Sequence, residues 1–321
     1  MSRKFTHNPL FVNSNIMGLF AIMKKPNSLV QGSVVRIIST ARKISPAEVE
    51  PSIKLLKSWG LIVQLGRDTY ATDNQFAGTP KHRLQDLQEA LNDNHVNMIW
   101  CSRGGYGTTM LIDQLDFAAF VSNPKWVVGY SDVTSLLCHI TTNFNIVSLH
   151  ATMPINVSNQ LSLSDHRSID SLRSVIFGES VSYKINNHNL SRGGDAVGPL
   201  IGGNLSILYS ILGSKSSPNT KGAILFIEDL DEYLYHVDRM MVNLKRNGLL
   251  ENLSALLIGG MTDMNDNTVP YGQTAEEIVL SHVVEYGYPV YFGFEAGHLS
   301  PNLALPFGQQ VQIKDNRLVV D

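Results

Sequence analysis

Between Val34 and Leu149 five short β-branched or apolar runs alternate with amphipathic segments, and this alternation constrains the fold more than any other feature. The runs are Val34–Ile38, Leu61–Val63, Val96–Cys101, Trp126–Gly129 and Ile146–Leu149. Ser45-Pro46-Ala47-Glu48 carries a helix start, with a Ser cap, Pro at the first helical position and Glu at the third. Val49, Ile53, Leu56 and Trp59 follow near helical spacing and Gly60 ends the segment, although Pro51 falls in or near its first turn. Thr79-Pro80 opens a second helix with Leu84, Leu87 and Leu91 on one face. Leu111, Leu115, Phe117 and Phe120 predict a third helical crossover, and Leu136, Leu137 and Ile140 a fourth. Strands and helices alternating at this spacing form parallel βαβ units, so the expected fold is an open, flavodoxin- or Rossmann-like parallel sheet with helices on both faces.

At about 150 residues per domain, 321 residues suggest two domains or one large one. The α/β unit is placed at 30–155. Residues 156–195 are polar, rich in Ser, Asn and Arg, and read as a linker with a short helix near Ile169–Ile176. A β-rich unit over 196–321 follows, with strands at Ala223–Ile227, Ala255–Ile258 and Val290–Phe294 and helices at about 231–247 and 274–286. Val311–Ile313 and Leu318–Val320 around Asp315-Asn316 read as a hairpin. Residues 1–29 are expected to be a poorly ordered extension. Arg3 and Lys4 precede the apolar stretch Ile16–Met23, but its core is short and no small-x-small site follows, so it makes a poor signal peptide. With no run long enough to cross a bilayer, a cytoplasmic protein is expected.

Composition removes several classes of function. Twenty-five Lys and Arg against 28 Asp and Glu leave a formal charge of −3, with no basic excess for nucleic acid. Cys101 and Cys138 are too few for a disulfide scaffold or a thiolate zinc site. His-Glu-x-x-His is absent, and Asp263–Asn267 imitates a calcium loop but has Thr268 and Thr274 where Gly and Glu belong. Neither a metal nor a nucleotide cofactor is expected.

The chemistry gathers at three strand ends. Ser131 directly follows Trp126–Gly129 and precedes a helix, where open α/β sheets carry their sites. Gly129 permits a tight strand–nucleophile–helix turn, and the Asp132 N–H would point toward a forming oxyanion. The alternative is that Ser131 or Asp132 merely caps the helix, since both are preferred caps. Arg103-Gly104-Gly105-Tyr106-Gly107 ends the neighbouring strand and offers free N–H groups, or simply a tight turn. Glu228 closes Ile224–Ile227, either as a dipole partner for the next helix or as an orienting acid. His298 follows Gly297 after a strand. Together they supply a nucleophile, a base and an orienter.

The chain resembles the LD-carboxypeptidase family of serine peptidases, or muramoyltetrapeptide carboxypeptidases. The resemblance rests on Arg103–Gly107, Gly129–Thr134, Gly202–Leu205, Phe226–Asp229, Asp238-Arg239, Ile258–Gly260 and Gly297-His298, in the family's order. It implies Ser131 as nucleophile, His298 as general base and Glu228 as the orienting acid, meeting at a domain interface. It further implies an oxyanion hole from the backbone of Gly105 and Asp132, with Arg103, Gly104 and Tyr106 as candidates for substrate contact. Arg103 is suited to a terminal carboxylate, or to bracing its own turn. By the same resemblance the second unit is barrel-like, the enzyme is a homodimer, and a small peptide, the murein tetrapeptide, loses its terminal D-Ala during wall recycling. Microcin immunity peptidases, which cleave aminoacyl nucleotide conjugates, are relatives with the same triad. A non-catalytic α/β binding protein is the more distant alternative.

Overall fold

The computed structural model describes residues 23–320. The elements run β1 (Val34–Ile38), α1 (Pro46–Ser58), β2 (Ile62–Leu65), α2 (Pro80–Asn92), β3 (Val96–Cys101), α3 (Ala118–Ser122), β4 (Trp126–Gly129), α4 (Thr134–Phe144) and β5 (Ser148–His150). Next come α5 (Leu163–Ile176), β6 (Val181–Lys184), β7 (Ala196–Asn204), α6 (Leu205–Ser210), β8 (Ile224–Leu230), α7 (Leu234–Arg246), β9 (Ala255–Thr262) and α8 (Ala275–Val283). The short strands β10 (Val290–Tyr291), β11 (Leu305–Phe307), β12 (Gln310–Lys314) and β13 (Arg317–Val320) follow.

The first sheet has the order β11-β5-β4-β3-β1-β2 and is parallel from β5 to β2. Strand order reverses between β1 and β3, so the crevice that open α/β sheets use for ligands lies beyond their carboxyl ends. Local signals explain its helices. Ser45 and Glu48 form a capping box for α1, which tolerates Pro51 inside its first turns, and Thr79 accepts from the His82 N–H to start α2. The crossover after β3 is less regular than its apolar spacing predicts. It holds two 3₁₀ turns, Thr108–Met110 and Ile112–Gln114, before the five-residue α3. Gly107 with φ +139° and the extended Leu115 interrupt any longer helix.

The second sheet, a curled half-barrel, has the order β10-β9-β8-β7-β12-β13-β6. It is parallel from β10 to β7 and antiparallel from β7 to β6. Gly293 with φ +70° ends β10 early, so the strand expected at Val290–Phe294 stops at Tyr291. The stretch 156–195 is more than a linker. It contains α5, opened by a Ser162–Asp165 capping box and anchored by buried Ile169, Leu172, Val175 and Ile176, and then β6. Its Ser-rich composition conceals that stripe. Residues before β1 also pack: the Lys24 N–H donates to Asn145, Lys24 accepts from Val147, and Leu29 is buried. The extension expected over 1–29 therefore does not include 24–29, while the Ile16–Met23 stretch lies, but for Met23, outside the described residues. No helix among the described residues is long and apolar enough to cross a membrane.

The two sheets share one core. β11 leaves the neighbourhood of the second sheet and pairs antiparallel with β5 at the edge of the first. Phe307 on β11 lies 5.6 Å from the His150 ring and 6.3 Å from Phe226 of β8, joining both layers. A second cluster, from Leu205 and Leu225 to Met241 and Ile278, packs α6, α7 and α8 on the other face of the half-barrel. Phe307 is 1% exposed, so Phe307→Ala is expected to cost about 3–5 kcal/mol of stability. Urea denaturation checks this, with a midpoint near the wild-type value counting against a shared core.

Candidate active site

β4 ends in Gly129, and the chain turns so sharply that a Cβ there would sit 2.9 Å from the Val133 side chain. Ser131 follows with φ +61°, a left-handed conformation costing a non-glycine residue about 1–3 kcal/mol. The turn presents its hydroxyl above the carboxyl edge of the first sheet. Neither Ser131 nor Asp132 caps the helical segment by a side-chain bond. Asp132 instead uses its buried Oδ2 to accept the Thr108 N–H at 2.8 Å, tying the serine turn to the glycine-rich turn after β3. Burial raises the Asp132 pKa, opposed by its bonds to Thr108 and Gly107 and by the charge of Arg83.

From the second sheet, β8 delivers Glu228 with no exposed surface, and the loop after β10 delivers His298. Glu228 Oε2 accepts the His298 backbone N–H at 3.1 Å and lies 2.7 Å from its Nδ1. A carboxylate can only accept, so Nδ1 carries the proton and Nε2 offers its lone pair. Nε2 lies 3.1 Å from Ser131 Oγ. A Cβ on Gly297 would meet Glu228 at 2.6 Å, so only glycine lets the imidazole loop approach this closely. The structure thus brings Ser131, His298 and Glu228 into one hydrogen-bonded series. Such a series can transfer a hydroxyl proton to the imidazole while the oxygen attacks an electrophile.

The glycine turn sits directly beside the hydroxyl. A Cβ on Gly104 would lie 3.0 Å from Ser131 Oγ and 3.5 Å from the Asp132 nitrogen. Tyr106 is exposed and packs on Phe76, while Arg103 Nη1 donates to the Lys43 carbonyl at 3.2 Å, bracing the turn. Gly105 is crossed by the side chain of Arg42.

Three residues of this neighbourhood carried no sequence signal that singled them out. Asn302 is buried and its Oδ1 accepts the Gly297 N–H at 2.8 Å, holding the base of the His298 loop. The same oxygen lies 3.2 Å from His150 Nε2, on a ring buried beside Tyr130, Phe226 and Phe307. Burial pushes the His150 pKa down to about 4, so it is neutral and donates from Nε2. Arg42 is the third, placed beside Gly104 and Gly105 by the pairing of β1 with β3.

Burial acts to lower the His298 pKa, but the hydrogen bond and charge of Glu228, with the charge of Asp229, outweigh it and leave the pKa raised. NMR titration of the imidazole is therefore expected to give a midpoint above 6.5. Glu228→Gln should move it downward, because the counter-charge disappears while burial remains. An unmoved midpoint would contradict the pairing.

Residues 35–151 match the LD-carboxypeptidase N-terminal domain and residues 197–313 the LD-carboxypeptidase C-terminal domain. The probable murein peptide carboxypeptidase of Bacillus subtilis is 33% identical over 299 residues, covering 91% of this chain and 92% of that protein. The murein tetrapeptide carboxypeptidase of Pseudomonas aeruginosa is 27% identical over 295 residues, covering 88% and 94%. Among solved structures, the muramoyltetrapeptide carboxypeptidase from Oxalobacter formigenes superposes with a TM-score of 0.80 at 26% identity, covering 89% of this chain and 97% of that one. MccF, the microcin C7 self-immunity protein, solved in complex with glutamyl sulfamoyl guanosine, shares the fold. Its TM-score is 0.82 at 22% identity, with 94% and 98% covered.

Proposed function

Because this chain belongs to the LD-carboxypeptidase family and is a serine-type hydrolase, we propose that it releases the terminal D-Ala of a murein tetrapeptide through Ser131, His298 and Glu228. The observation that carries the reading is the continuous series from Ser131 Oγ to His298 Nε2 at 3.1 Å and from Nδ1 to Glu228 at 2.7 Å. Murein substrates are preferred over aminoacyl nucleotides because the relatives named for murein peptides reach 33% identity. The likeness to the immunity protein supports the fold alone.

In this mechanism the Ser131 proton passes to His298 Nε2 as Oγ bonds the carbonyl carbon of the residue preceding D-Ala. Glu228 stabilises the imidazolium and keeps it facing the serine. Negative charge on the tetrahedral oxygen is met by backbone N–H groups of Gly105 and Asp132, preorganised by the Asp132–Thr108 bond. Collapse breaks the C–N bond, and the departing nitrogen takes the proton from Nε2. Water, deprotonated by the same imidazole, then attacks the acyl carbon, and the imidazolium returns that proton to Ser131 Oγ as the ester C–O bond breaks. A recycling role inside the cell and a homodimeric assembly complete the proposal.

The test is D-Ala release from L-Ala-γ-D-Glu-meso-diaminopimelate-D-Ala, with and without chelator. Wild type is expected to release D-Ala insensitively to chelator, and Ser131→Ala to lose a factor of about 10⁴ or more. A folded wild type inactive on this peptide but active on an aminoacyl sulfamoyl nucleotide would replace the substrate. Turnover of neither would favour the binding-protein alternative.

A further inference from the structure

An enzyme that removes only a terminal residue must recognise the free carboxylate, which lies one residue, about 4 Å, from the carbonyl under attack. Recognition therefore calls for a cation immediately beside the nucleophile and the glycine turn. Three guanidinium groups lie near that turn. Arg83 is buried and donates to the Gly78 carbonyl, and Arg103 donates to the Lys43 carbonyl. Arg42 differs. It is exposed, and its side chain makes no hydrogen bond or ion pair among the described residues.

The position of Arg42 is constrained although its charge has no partner. Its backbone N–H donates to the Gly104 carbonyl at 3.4 Å, and its side chain lies flat across Gly105. A Cβ on Gly105 would meet Arg42 Cγ and Cδ at 2.6 Å and Nε at 3.0 Å. The adjacent Gly104 is the glycine whose Cβ would lie 3.0 Å from Ser131 Oγ. The stem of Arg42 is thus packed on Gly105, next to the glycine beside the nucleophile, while the residue as a whole is exposed to solvent. Packing of the stem limits the entropy lost when the fork engages a ligand, and two parallel N–H groups match a carboxylate.

We propose that Arg42 is the specificity-determining residue that binds the terminal carboxylate of the departing D-amino acid and makes the enzyme an exopeptidase. This rests on the carboxypeptidase reading above and assigns within it a role to a residue outside the triad and the glycine motif. Arg103 then acts as the brace of the turn on which Arg42 lies.

The experiment compares the tetrapeptide acid with its C-terminal carboxamide on wild type, Arg42→Gln, Arg42→Lys and Arg103→Gln, with thermal unfolding confirming that each variant is folded. Wild type is expected to prefer the acid. Arg42→Gln should lower kcat/KM for the acid by about 10- to 100-fold, the worth of a charge-assisted pair, and leave the carboxamide rate within about threefold of wild type. Arg42→Lys should recover part of the preference, while Arg103→Gln should affect acid and carboxamide alike. Equal losses on both substrates in Arg42→Gln, or a wild type indifferent to the carboxamide, would overturn the assignment of Arg42 and leave the carboxypeptidase reading standing. A wild type that releases no D-Ala from the acid would overturn both.

Discussion

A carboxylate without solvent is the constraint on which this site depends. Glu228 has lost its hydration entirely, and Oε2 receives both the backbone N–H and the ring of His298. Burying a charge of this kind is tolerable only when a partner is held rigidly against it. Several otherwise unrelated features answer that requirement: the missing side chain at Gly297, the Asn302 oxygen under the Gly297 N–H, and the Tyr130 ring with its centroid 4.9 Å from that of the imidazole. Each keeps the imidazole from drifting away from the charge that orients it.

Ser131 is held by a different means. Ser131 sits in a strained conformation that its own turn does not repay, so the compensation comes from outside. The buried core of β4 anchors one end, and the Asp132 carboxylate fastens the other to the glycine turn through Thr108. The same bond that holds the serine turn therefore also positions the N–H groups proposed to meet the oxyanion. Strain and preorganisation have a common origin here.

Much of this could be read in the amino-acid sequence, because the parallel sheet announces itself through strand–helix period and capping residues that act locally. Ser131, Glu228 and His298 each ended or followed a strand, which suffices to place them on a sheet edge. What period and capping do not encode is the pairing between distant segments. β6, β7 and β11 escaped notice because Pro, Gly and polar neighbours break their alternation, and their stability comes from partners more than a hundred residues away in several cases. Arg42, His150 and Asn302 were invisible for the same reason. An arginine past a strand or an asparagine after a proline acquires meaning only when another part of the chain arrives beside it.

The return of β11 to the first sheet also bears on how the proposed triad is completed. The His298 loop runs from β10 in the half-barrel to β11 beside β5, so it is suspended between two layers. Its imidazole is held against the serine between these two anchorages. A chain made only as far as β9 has the serine turn but neither the imidazole nor β11, the edge strand of the first sheet. In the proposed mechanism such a chain has a hydroxyl without a base, so the segment that closes the first sheet also completes the proposed site.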